Sequence, residues 1–260
     1  MTGTAPVRNP WSLYDELIDG VPDGIAVRDF CLGAHWVYVE AACGTGIAKA
    51  VTGGARATFK DTPSDLNLKS VACLAKSWNF LEASLGLAAL NAWYTTPDSI
   101  AALGGIVDGE KGPGMGRAEN PFDSLADRYA GKNVAVVGHF PNVEAMFRTA
   151  NVTVLERSCT SELDTPDPAC EYVLPQQDFA FITGTTLTNK TAPRLLELAK
   201  DAFTVLVGPT SIPAQALFDA GADMIAGSVV VDAEPAKLSI RGGSKQLWRA
   251  GVKKFCVAAS

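Results

Sequence analysis

Two different rhythms of hydrophobic and polar positions divide this chain. Trp11–Ile18 places apolar residues at helical spacing, with Asn9 or Ser12 near its start. Gly24–Cys31 (GIAVRDFC) and His35–Glu40 (HWVYVE) alternate and are rich in β-branched and aromatic residues. Joined by Leu32-Gly33-Ala34, they predict a hairpin, with a third short strand near Gly46. From Ser64 to Trp93 the spacing turns helical again. Helix, hairpin, then helices make an α+β module. After Lys132 the rhythm becomes strand, turn, helix. Asn133–Val137, Val152–Glu156, Phe179–Thr183, Phe203–Val207, Met224–Val231 and Lys254–Ala258 read as strands. Helices are expected around Asn142–Thr149, over Ala192–Lys200 and over Pro213–Ala220. Near-continuous apolar strands alternating with helices imply parallel crossovers and a doubly wound, mostly parallel, Rossmann-like sheet.

Between the two rhythms lies GGIVDGEKGPGMGR (Gly104–Arg117), too rich in glycine to hold a helix or strand. The expected organisation is therefore a smaller α+β domain over 1–103, a glycine-rich connecting segment over 104–131, and the α/β domain over 132–260.

Composition narrows the function. Hydrophobic residues make up 47% and charged residues 19%, which suits a sheet covered on both faces. A net charge of −6 and no cluster of Lys and Arg argue against nucleic acid and against a basic membrane-surface helix. No apolar stretch of signal-peptide or membrane-spanning length occurs. The six scattered cysteines (Cys31, Cys43, Cys73, Cys159, Cys170, Cys256) read as reduced thiols in a cytoplasm. A small-molecule ligand is the expected partner, and a homo-oligomer is left open.

Three strands end alike, in Gly138-His139-Phe140-Pro141, Gly184-Thr185-Thr186 and Gly208-Pro209-Thr210. In an open parallel sheet the ligand crevice lies outside the carboxyl ends of the strands. Glycine permits sharp turns there, while hydroxyls and free N–H groups can hold polar ligand atoms. The competing reading is that these are simply good turn and cap residues. Glu156 ends the second strand 18 residues beyond Gly138, where dinucleotide-binding sheets place a ribose-binding carboxylate. The first turn has one glycine where their fingerprint has three, which argues against NAD or FAD and favours a nucleoside-type ligand such as S-adenosylmethionine, or a flat heterocycle. A solvated strand-end glutamate is the alternative.

Phe140 is expected to stack on a ring. His139 is a candidate acid or base, metal ligand or helix cap; His35, at the head of an apolar strand, reads as structural. Asn189, Asn91 in AALNAW and Ser228 in IAGSVV are further candidates for the crevice, Asn91 and Ser228 as polar groups in apolar runs that must find partners. The acidic segment Arg157–Glu171 holds Cys159 and Cys170, weak metal candidates with His139. Its spacing matches no zinc motif, and it reads as an ordinary flexible loop. No Gly-x-Ser-x-Gly elbow, Walker loop or paired carboxylates support hydrolysis or phosphoryl transfer.

The phrases VVGHFP, VLE, EYVLPQQDFAFITGTTLTN, PRLLELAK, VLVGPT, FDAGADMIAGSVV and GVKKF together resemble a family of unknown function described as "putative heavy-metal chelation", over nearly all of Lys132–Ala258. The first half, with GLAALNAW, resembles its companion domain, similar to the enolase N-terminal domain. The resemblance implies a pocket where the two parts meet and a role linked to heavy-metal chelation. An enzyme acting on a small polar or heterocyclic, chelator- or pterin-like compound is the first expectation. A non-catalytic protein binding a metal or metal complex is the second, and a scaffold subunit the third. Enolase chemistry is not implied, because that enzyme's catalytic groups lie on a barrel absent here. The family supplies no agreed catalytic residues.

Overall fold

In the computed structural model, residues 9–60, 66–108, 120–141, 143–248 and 250–259 are described. Met1–Arg8, Ser64, Asn142 and most of the glycine-rich segment lie outside them. Strict alternation in the central strands builds two cores. In β5 (Asn133–Val137), Val134 and Val136 face one core while Ala135 and Val137 face the other. Phe179 and Phe181 against Ala180 and Ile182 do the same in β8 (Phe179–Thr183). Strands buried on both faces must be covered on both faces, and the connections supply that cover. Val143 and Met146 lie over one side, and Leu187, Leu195, Leu196 and Leu217 over the other.

The small sheet is antiparallel, with β1 (Val27–Leu32), β2 (Trp36–Ala41) and β3 (Thr45–Lys49) in sequence order, the hairpin and third strand the alternation predicts. The large sheet adds β4 (Ile106–Val107), β6 (Asn151–Glu156), β7 (Asp164–Pro166), β9 (Phe203–Val207), β10 (Met224–Val230) and β11 (Val252–Ala258) to β5 and β8. Its order is β4-β11-β10-β9-β8-β5-β6-β7. Neighbours from β10 through β7 are parallel.

Four details differ from the periodicity. The helical run breaks after Lys76 because Ser77 is extended and the Asn79 side chain accepts from Leu81 and Glu82 N–H, capping a new helix, Phe80–Tyr94. That helix is apolar on all sides and is buried. Among the described strands of this sheet only β11 is reversed: it runs antiparallel to β10 and to β4. The helix Ala233–Arg241 packs Ala236 and Ile240 on Tyr38 and Ile47 of the small sheet, and the chain then returns beside β10. Buried Lys237 fixes this docking through Glu40 at 2.6 Å. Finally, the acidic segment expected as a flexible loop contains β7, which pairs with β6, followed by the short helix Cys170–Val173. Ile106–Val107, within the expected connecting segment, forms the opposite edge strand.

One side chain organises the small unit. Glu82, 4% exposed, accepts hydrogen bonds from the N–H groups of Thr58 and Phe59 and from the hydroxyls of Ser77 and Thr58. Burial works to raise its pKa, but these donors outweigh it and hold the carboxyl below the usual range.

Candidate functional site

Chain direction across the large sheet reverses between β5 and β8. From β5 the chain steps outward to β6 and β7, then returns to β8 and proceeds the other way to β9 and β10. Counted from β5, this is the order 3-2-1-4-5-6, whose crevice opens at the reversal, beyond the carboxyl ends of the strands. The three glycine turns gather there, since their strands are parallel. Each glycine N–H extends the ladder one step past its strand: Gly138 to Leu155 O (2.8 Å), Gly184 to Val207 O (2.8 Å) and Gly208 to Ala226 O (2.9 Å). Gly138 and Gly208 have φ of 98° and 111°, a region open chiefly to glycine. Gly184 is needed for space: a Cβ there would sit 2.5 Å from Ser211 N.

A cavity of about 400 Å³ occupies this reversal, within the roughly 300–1,000 Å³ of small-molecule sites. Gly138, His139 and Phe140 form its centre, Glu156 and Arg157 one side, and Thr183, Thr185, Thr186 and Asn189 the other. Asp167, Cys170, Glu171, Thr191 and Arg194 complete the wall. Every lining residue lies between Val137 and Leu198, so the cavity is built within the large-sheet half and not where the two halves meet.

The other expected residues lie elsewhere. Gly184 supports the rim without lining it. Asn91 donates to Ile47 O at 2.9 Å and Pro209 O at 3.2 Å, and Thr210 Oγ1 accepts from Lys49 N at 3.0 Å. These bonds join the Gly208-Pro209-Thr210 turn to the small sheet, which takes Gly208, Thr210 and Asn91 out of the cavity wall. Ser228 is buried in β10, its hydroxyl and Asn91 Oδ1 without a partner among the described residues.

Within the cavity, the side chains are already paired in specific ways. His139 Nδ1 lies 2.7 Å from Asp164 Oδ1, and its Nε2 lies 3.9 Å from Glu144. Asp164, on edge strand β7, also accepts from the N–H groups of Thr160 and Ser161. The Asp164 hydrogen bond raises the His139 pKa; burial opposes it, and the charges of Asp164, Glu144 and Glu156 add to the rise. The same bond, then the two N–H donors, holds Asp164 low. Glu156 accepts from the N–H groups of His139 (2.9 Å), Arg157 (2.7 Å) and Ser158 (3.2 Å). It therefore ties the β5 turn to the β6 turn, and ribose hydroxyls would compete with three amides. Phe140 packs on Phe122 with centroids 5.1 Å apart, so its stacking partner is internal. The connections after these strands are short: a 3-10 turn over Val143–Arg148 and helices Thr185–Thr188 and Ala192–Leu198. Their dipoles contribute little, and the polar character of the site comes from side chains.

Arg157 donates through Nε to Asp167 at 2.9 Å. Arg194 is bidentate to Glu171 at 2.9 and 2.6 Å and reaches Glu197 at 2.7 Å. Sequence reading does not single out these arginines, Asp164 or Thr183. Arg157 was detectable as the polar residue directly after a strand-end acid; Asp164 and Arg194 carry no local signal.

A protein site for a bare heavy-metal cation does not fit these residues. Among the described residues, no three His, Cys, Asp or Glu side chains come together as a metal-holding group. Burial pushes the Cys170 thiol up to about 11, away from the thiolate that binds metal. Cys159 is exposed, its thiol directed to Glu156 O. All six cysteines are free. Among the described residues, no helix is long and apolar enough to cross a membrane.

Residues 120–255 match the DUF364 family model and residues 14–94 the DUF4213 model, both described as "putative heavy-metal chelation". An uncharacterized protein of Methanocaldococcus jannaschii is 30% identical over 204 residues, covering 75% of this chain and 73% of the relative. A crystal structure of a DUF364 protein of unknown function from Desulfitobacterium hafniense is similar at TM-score 0.83 and 32% identity, covering 97% of this chain and 100% of its own. One from Pyrococcus horikoshii shares the fold at TM-score 0.79 and 19% identity, covering 96% and 99%. With a mostly parallel eight-stranded sheet, a small antiparallel sheet and matches over most of its length, this chain belongs to the DUF364 family of "putative heavy-metal chelation" proteins.

Proposed function

We propose that this protein binds a small polar or heterocyclic organic compound in the cavity at the β5–β8 reversal and acts on it as an enzyme. The observation that carries the reading is the convergence of Gly138, His139, Glu156, Thr185 and Thr186 on one cavity of ligand size. His139 is the acid–base group of this reading. Asp164 holds its ring through Nδ1 and favours the charged imidazole, which leaves Nε2 to give or take a proton at a bound compound. Thr183, Thr185 and Asn189 supply polar contacts along the opposite rim.

The family's association with heavy-metal chelation enters through the ligand. Side chains that assemble no cation site suit an organic chelator, or a pterin-like compound, better than a bare metal ion. A thermal-shift screen with S-adenosylmethionine, NAD, flavin mononucleotide and pterins tests this. At least one is expected to raise Tm in wild type and to lose most of that effect in Thr185→Val. No shift with any of them counts against the reading. Elemental analysis of purified protein tests the alternative of a non-catalytic metal binder: a stoichiometric metal lost on Cys159→Ser would favour it.

A further inference from the structure

Hydrogen-bonding capacity in the cavity is unevenly spent. Each lining carboxylate already faces a cation or backbone N–H groups: Glu156 three amides, Asp167 the Arg157 side chain, Glu171 the Arg194 side chain. The donors are not used up. A guanidinium carries five N–H groups. Arg157 uses one, at Nε, and no described residue accepts from its two terminal nitrogens. Arg194 uses three. Asn189 spends its carbonyl oxygen on Thr191, and its amide N–H groups have no described acceptor. The Arg157 side chain is 47% exposed, while Asp167 grips only its inner nitrogen. That grip orients the planar fork, and an oriented fork matches a carboxylate or phosphate with two parallel bonds.

We infer that the ligand of this cavity carries a carboxylate or phosphate group and that Arg157 is its anchor, an inference that rests on the cavity being a small-molecule site. Asp167 is then a positioning residue that also competes with the ligand anion. His139 and Arg194 line the same cavity.

Isothermal titration with four probes tests this: inorganic phosphate, glutarate, adenosine 5′-monophosphate and neutral adenosine. Wild type is expected to bind at least one anion, phosphate or glutarate marking which group is preferred. Arg157→Met should weaken that binding at least tenfold, and Asp167→Asn should keep or strengthen it. If Arg157→Met fails to fold, Arg157→Lys decides, with at least threefold weakening expected because charge remains and the fork is lost. Anion binding unchanged in these variants overturns the inference. Adenosine bound with no anion bound overturns it too, yet leaves the small-molecule site standing. If no probe binds, the anion inference falls, and the site itself then stands or falls by the wider ligand screen.

Discussion

Replacing Glu82 by alanine tests how much of the small unit's stability one buried carboxylate carries. Four donors converge on it, but they are not equal. Thr58 is exposed, so water can replace the carboxylate for its N–H and hydroxyl. The bonds from Phe59 N and Ser77 Oγ, each 2.6 Å, have less access to water and weigh most. Hydrogen bonds to a charged group contribute about 1.5–3 kcal/mol each, and relief from burying the charge offsets part of that sum, so a net loss of about 3 kcal/mol is expected. At about 2–4 °C per kcal/mol for a chain of this size, Tm should fall by roughly 6–12 °C. Glu82→Gln, which keeps one acceptor oxygen but turns an NH₂ toward donors, should fall between. The pH dependence has a definite sign. Glu82 is depressed in the folded protein, so its contribution is complete above the unfolded pKa of about 4.3 and is lost as pH falls through the folded value. Calorimetric Tm should therefore differ most between wild type and Glu82→Gln near neutrality, with the gap closing in acid. A Tm for Glu82→Ala within about 2 °C of wild type at pH 7 would refute this accounting.

Two further outcomes test the site. Gly184→Ala puts a methyl 2.5 Å from Ser211 N, forcing the β8 and β9 turns apart at a cost of about 1–3 kcal/mol; denaturant unfolding showing no loss would mean the turns give freely. With only two histidines in the chain, a proton NMR titration should place the His139 midpoint above the ordinary value, and Asp164→Asn should lower it. Because His139 is raised and Asp164 lowered, the pair's stabilisation is lost as pH rises through the His139 midpoint and as it falls through the Asp164 midpoint. A His139 midpoint indifferent to Asp164→Asn would remove Asp164 as its partner.

What the sequence alone determined is whatever repeats locally. The apolar runs NVAVV and FAFIT mark β5 and β8, helical spacing marks the stretch Ser64–Trp93 without its break after Lys76, and Gly138, Gly184 and Gly208 mark the turns, because each of these signals is written within a few neighbouring residues. From the strand–helix rhythm followed the gathering of three turns on one rim, and with it Gly138, His139, Phe140 and Glu156. Tertiary structure decided the rest. Whether Glu156 faces a ligand or three backbone amides depends on where the β5 turn ends. That Thr210 and Asn91 join the two halves depends on how the small sheet docks. Asp164 meets His139 because β7 pairs with β6, and Arg157 and Arg194 line one cavity because the chain reverses between β5 and β8. Contacts between residues distant in the chain have no period and leave no local mark, so the chemistry of this cavity is set by the order of the strands.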